Sequence, residues 1–269
     1  MSDAVQIALT VIAGVGTGVL SGMFGIGGAV ISNPSVRALG ASPIESVGST
    51  LPSIIPSAIT GSLRYRREGL LRTDMIAWVG ASGACASIGG SQLSAVLPGD
   101  GHLLTMGVAL LMAYTAVRTA RSRPAAPPAP EAEIEMLQPE PGPARVEPWR
   151  LVVIGLAAGF LSGLLGIGGG LLMVPAFSGW LRLPLKQTIA TSLACVAIIA
   201  VPGMANHARL GHIDWAFALP LAIGVVPGAR IGAGITIGAS DRNVRLIVAW
   251  GLGLLGAFYA LVELIALVS

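Results

Sequence analysis

The sequence predicts an all-α polytopic membrane protein built from two repeats of inverted topology, each holding a glycine-broken helix. Three observations predict it. Of 269 residues, 54% are apolar and only 11% are charged, with a mean hydropathy of +0.79. A soluble domain carries about 25% charged residues, and so few charges do not cover a water-facing surface. Next, Gly18-Val-Leu-Ser-Gly-Met-Phe-Gly-Ile-Gly-Gly28, followed by Pro34, returns as Gly159-Phe-Leu-Ser-Gly-Leu-Leu-Gly-Ile-Gly-Gly169, followed by Pro175. A period of about 140 residues is too long for a solenoid and marks a duplicated fold. Finally, positive charge changes place between equivalent loops. The loop 64–72 holds four Arg and its counterpart 206–212 one, whereas the turn 98–101 holds none and its counterpart carries Arg242 and Arg245.

The first repeat, 1–119, opens on an apolar run over 4–22, long enough to cross about 30 Å of hydrocarbon. With no Lys or Arg ahead of it, this run reads as a first membrane helix rather than a cleaved signal. Gly14, Gly18 and Gly22 share one helix face and suit close helix contact. After the break at Gly25–Gly28, Pro34, Pro43, Pro52 and Pro56 predict two short or broken helices, over 28–39 and 46–63. Asp74 is the expected N-cap of a helix running to Leu97. A Pro-Gly-Asp-Gly turn at 98–101 and a helix over 102–119 complete the half.

Residues 120–148 read as a cytoplasmic Pro/Glu-rich linker: 121–148 hold eight of the 18 prolines and five of the 13 acidic residues. The second repeat, 149–269, predicts a helix over 149–165, the break Gly166–Gly170 and a short helix to Trp180. A helix near 187–205, a polar loop 206–212, a helix from Asp214 to Ile237 and a last helix over 244–268 follow. Positive-inside placement puts 64–72, the linker and 240–245 in the cytoplasm and both termini outside. That requires an odd number of crossings per half: five if the short helices cross, three if they form a re-entrant hairpin. Hydropathy alone counts about four segments per half, so eight to ten membrane segments in all are expected, in the cell (plasma or inner) membrane.

The candidate site is the pair of breaks. A half-helix that begins at Gly27/Gly28 or Gly168/Gly169 offers unpaired N–H groups and a positive dipole end, which suit an anion, and glycine lets it approach closely. Gly25, Gly166 and Gly170 belong to the same breaks. The bland alternative is that these glycines only let helices cross. Ser49-Thr50 and Thr191-Ser192, at equivalent places, bring hydroxyls for an oxyanion or bond within their own helices. Arg230, a charge inside a spanning segment, is a binding candidate or snorkels. His207, Arg209 and His212, with Asn206, form a cluster for proton coupling or a vestibule, or an interfacial turn held by polar side chains, and Glu45 is a further proton candidate or else a helix N-cap or first-turn residue. Glu263 lies near a helix end. Cys85 and Cys195 sit in apolar segments without partners at ligand spacing; no metal, cofactor or nucleic-acid partner is expected.

The doubled Gly-x-x-x-Gly-x-x-Gly-Ile-Gly-Gly with its proline, together with Ala190-Thr-Ser-Leu193 and Leu210-Gly-His-Ile-Asp-Trp215, resembles the TauE/SafE sulfite exporter family, also called the 4-toluene sulfonate uptake permease family. The first half departs at Ala29, where the second has Gly170, and at Gly48-Ser-Thr-Leu51. The resemblance implies export or uptake of a small sulfur oxyanion such as sulfite or a sulfonate, by alternating access around a midplane site. Its partners would be that anion, the bilayer and, as coupling ion, protons; a homo-oligomer stays open. An anion leaves a negative-inside cell downhill by about 2.3 kcal/mol per charge per 100 mV, so export needs no coupling. An anion channel and a carrier of small carboxylates are the alternatives. A membrane enzyme is disfavoured by the absence of any His/Asp/Glu or Cys constellation.

Overall fold

The computed structural model describes residues 3–94 and 146–240, with single positions between 107 and 117 and most of 242–257. Eight helices fill the two long stretches: α1 (Asp3–Phe24), α2 (Ala29–Ala38), α3 (Pro43–Arg67), α4 (Thr73–Ser94), α5 (Pro148–Leu165), α6 (Gly170–Gly179), α7 (Leu185–Arg209) and α8 (Trp215–Gly238). The turn 98–101, all but four positions of 102–119, the linker as far as residue 145 and Glu263 lie outside the described residues. Residues 4–24, α5, α7 and α8 are each long and apolar enough to cross a membrane. The chain is an all-α, multi-pass integral membrane protein.

Local chemistry sets the helix ends. Ser42 and Glu45 form a reciprocal capping box at the start of α3, with Pro43 in the first turn. Asp214 caps α8 by accepting from Ala216 N–H at 2.8 Å. Asp74 does not cap α4 as expected. It sits inside the first turn, where the Arg72 guanidinium engages both its oxygens at 3.0 and 2.8 Å. The segment expected as a short helix over 46–63 is a 25-residue helix, α3, continuous through Pro52 and Pro56. Packing against α7 and α8 outweighs the bonds those prolines remove. The polar loop expected from 206 begins only after Arg209, because Asn206 and His207 find partners on other helices: Ser91 Oγ at 2.8 Å and Gly163 O at 3.2 Å.

The two halves exchange partners. α1 packs along α8 while its counterpart α5 packs along α4, the counterpart of α8. Small residues make these seams. A β-carbon at Gly18 would collide with Val225 O, and one at Gly159 with Gly83 O. Contacts advance together, Gly14 on Leu221 and Gly22 on Ala233, Gly155 on Val79 and Gly163 on Ser91, so both pairs run parallel. The central pair, α3 and α7, runs antiparallel. Ser49, near the start of α3, meets Asp214 just past the end of α7, and Thr191, near the start of α7, meets Arg72 just past the end of α3. A pseudo-twofold axis therefore crosses α3 and α7 at right angles to their common direction.

Candidate functional site

Both breaks lie on that axis. Gly25, Gly27 and Gly28 have φ of +74°, +86° and +85°, and Gly166, Gly168 and Gly169 have +67°, +76° and +70°. Side chains other than glycine rarely adopt this conformation, so each break is written by its glycines. A β-carbon at Gly27 would lie 3.0 Å from Val196 Cγ1 and 3.3 Å from Ile54 Cγ2; one at Gly168 would lie 3.1 and 3.3 Å from the same atoms. α3 and α7 both have 25 residues, and from α3 onward the repeat offset is 142, so Ile54 and Val196 are each other's counterparts. The two breaks are held together across this one pair. Gly170 is the first residue of α6, and its missing side chain lets Gly25 O and Ile26 approach; the counterpart Ala29 carries a methyl.

The severed helix ends are treated unequally. Five of the carbonyls at the ends of α1 and α5 are sealed by protein groups, while those of Phe24, Leu164 and Leu165 find no partner among the described residues. Ser21 O accepts from Gly25 N–H at 2.9 Å and Ser162 O from Gly166 N–H at 2.9 Å. Gly22 O accepts from the Tyr65 hydroxyl at 2.7 Å, Met23 O from Thr236 Oγ1 at 3.3 Å, and Gly163 O from His207 Nε2 at 3.2 Å. Gly25 O, inside the first break, accepts from Ser192 Oγ at 2.8 Å. The N–H side is open. Neither α2 nor α6 has a side-chain cap, and the N–H groups of Gly27, Gly28, Ala29 and Val30, and of Gly168, Gly169 and Gly170, find no partner among the described residues. All seven residues are buried. Buried N–H groups without partners are rare and costly, and two half-helix starts present their positive dipole ends at one place.

The hydroxyl pairs of α3 and α7 are buried beside the breaks. Ser49 Oγ accepts from Asp214 N–H at 2.8 Å and Thr191 Oγ1 from Arg72 N–H at 3.2 Å, equivalent bonds that tie each long helix to the other repeat's loop. Thr50 donates to Val47 O at 3.0 Å within its helix, and its counterpart Ser192 reaches Ile189 O at 3.0 Å as well as Gly25 O. Each of these hydroxyls already has a structural partner.

Other sequence candidates lie elsewhere. Arg230 is exposed on the outer face of α8, beside exposed Ile223, Val226 and Ile231, and is not brought to the breaks. Arg209 is exposed, and exposed Glu45 serves the capping box by accepting from Ser42 N–H at 2.9 Å. His207 and His212 do meet, Nδ1 to Nδ1 at 3.2 Å. Gly163 O accepts only, so His207 carries its proton on Nε2, and His212 Nδ1–H then donates to His207 Nδ1. His212, in the loop between α7 and α8, titrates below the ordinary histidine range because burial disfavours its charged form.

Sequence reading missed Tyr65, Ile54, Val196, Thr17 and Ser57. Aligning the repeats through α3 and α7 pairs Tyr65 with His207, a signal that was available. Thr17 Oγ1 and Ser162 Oγ are buried with no hydrogen-bond partner among the described residues, and Ser57 Oγ donates to Ser21 Oγ at 2.8 Å; nothing in the local sequence marks these contacts.

Comparison with known proteins agrees with a membrane protein. No solved structure matches the chain. The probable membrane transporter protein YunE of Bacillus subtilis (strain 168) is 27% identical over 262 residues, covering 92% of this chain and 95% of its own. YdhB of the same organism, also a probable membrane transporter protein, is 25% identical over 222 residues, 81% of this chain and 86% of its own. A probable membrane transporter protein of Xylella fastidiosa (strain 9a5c) is 27% identical over 221 residues, covering 78% of this chain and 77% of its own. The family model described as Sulfite exporter TauE/SafE matches residues 10–259, nearly the whole chain, which therefore belongs to the TauE/SafE family of membrane transporters.

Proposed function

We propose that the protein is a secondary transporter of a small sulfur-containing oxyanion, sulfite or a sulfonate, working by alternating access around a site between the two breaks. The observation that carries this reading is the inequality of the severed ends. The carbonyls of Ser21, Gly22, Met23, Ser162 and Gly163, which would repel an anion, are sealed, while none of the seven N–H groups, which attract one, has a partner among the described residues. Glycine breaks that served only helix crossing need leave no such groups open. Antiparallel α3 and α7 support inverted placement of the halves across the bilayer, which lets each break face the site from its own side. Glycine at Gly25, Gly27, Gly28, Gly166, Gly168, Gly169 and Gly170 keeps the backbone bare for the ligand.

The test is counterflow in proteoliposomes. Preloaded sulfite should drive saturable uptake of labelled sulfite or sulfoacetate, with simple carboxylates competing weakly. A voltage-driven current that does not saturate would make the protein a channel. Preference for carboxylate over every sulfur anion would overturn the substrate assignment.

A further inference from the structure

The two half-helix starts are alike in backbone and unlike in side chains. The Thr17 methyl on α1 is seated against Gly28, the N-cap of α2, and so is the Ser21 β-carbon, one turn on. Thr17 is 1% exposed, yet its hydroxyl has no partner among the described residues. Ser57 on α3 adds a third hydroxyl through its bond to Ser21. In the second repeat Ala158 stands for Thr17 and faces Gly169, the N-cap of α6. Ile199 stands for Ser57, which leaves the Ser162 hydroxyl without the bond its counterpart Ser21 has. The helices continue the contrast: buried Ser32 and Asn33 in α2 answer to buried Met173 and Val174 in α6.

Building on the transporter reading, we infer that the oxyanion is held one-sidedly by the first repeat. The Thr17 hydroxyl and the N–H groups at the start of α2 donate to its oxygens, and the Ser21–Ser57 pair supplies a further donor once the pair reorients. Ala158, Ile199, Met173 and Val174 of the second repeat present an apolar wall to the rest of the ligand. A buried hydroxyl without a partner destabilises the empty protein, so its presence beside an uncapped N-terminus fits a ligand that completes it. Repeat symmetry alone would share the anion equally between both starts.

The experiment is calorimetric titration of the purified full chain with sulfite and with methanesulfonate, comparing wild type, Thr17→Val and Ser162→Ala. Thr17→Val is expected to weaken both anions at least tenfold, while ligand-free thermal stability holds or rises because the lost hydroxyl had no partner. Ser162→Ala should leave both affinities within twofold. Equal losses in the two variants, or a loss in Ser162→Ala alone, would overturn the one-sided site. So would wild-type affinity in Thr17→Val, with the transporter reading intact. A wild-type protein that binds neither anion while keeping its fold would instead remove the transporter reading on which this inference stands.

Discussion

Tyr65 in the first repeat and His207 in the second do one job with different chemistry. Each reaches a carbonyl left unpaired by a glycine break, Gly22 O in one case and Gly163 O in the other. The phenol does it beside Thr236, whose hydroxyl takes the next carbonyl, Met23 O. The imidazole needs a second residue to fix its tautomer, and His212 supplies that where the first repeat has Leu70. What the repeats share is the hydrogen bond rather than the residue. Where the repeats differ without substituting for one another, as at Thr17 against Ala158, the difference belongs to something other than the framework.

The comparison can be broken first at the helix seams. Gly18→Val and Gly159→Val each drive a side chain into backbone of the partner helix, Val225 O and Gly83 O. Each should cost about 3 kcal/mol or prevent folding, by equal amounts, as judged by the melting temperature in detergent. A large cost in one repeat only would deny their structural equivalence. Next come the carbonyl seals. Tyr65→Phe and His207→Phe each strand a buried carbonyl, at about 1–3 kcal/mol, with His207→Phe the costlier because His212 loses its acceptor as well. The crosswise ties are weaker. Ser49→Ala and Thr191→Val should each cost about 1 kcal/mol and add in the double variant.

The smallest expected effect is that of pH. Burial holds the His212 pKa below its unfolded value of about 6.5, so the folded state takes up this proton less readily than the unfolded chain. Its contribution is intact above pH 6.5 and is lost as pH falls through the folded pKa. For a half-buried group the loss should stay under about 1 kcal/mol. Melting curves from pH 7.5 to 5.5 should be flatter for His212→Leu than for wild type; identical curves would take His212 out of the account.

The breaks were legible in the sequence because left-handed backbone is all but reserved for glycine, and the motif occurs twice. Asp214 was legible as the start of α8 because capping is local, whereas Ser42, the other half of the box with Glu45, was not read. The length of α3 was not, since Pro52 and Pro56 argue for interruption and only packing against α7 and α8 outvotes them. Nor was the outward facing of Arg230. In a membrane helix the outer face is as apolar as the buried one, so hydropathy carries no phase. The Tyr65 seal and the Ser49 tie join residues 43 and 165 positions apart, and only the fold brings them together.

The most direct test of the central claim, that the open N–H ends at the two breaks hold the anion, is a crystal structure with selenite as a heavy sulfite analogue. The account predicts one anomalous peak between the starts of α2 and α6, within hydrogen-bond reach of Gly28–Val30. A peak at Arg230 or at the arginine loop 64–72, with the breaks empty at saturating selenite, would contradict it.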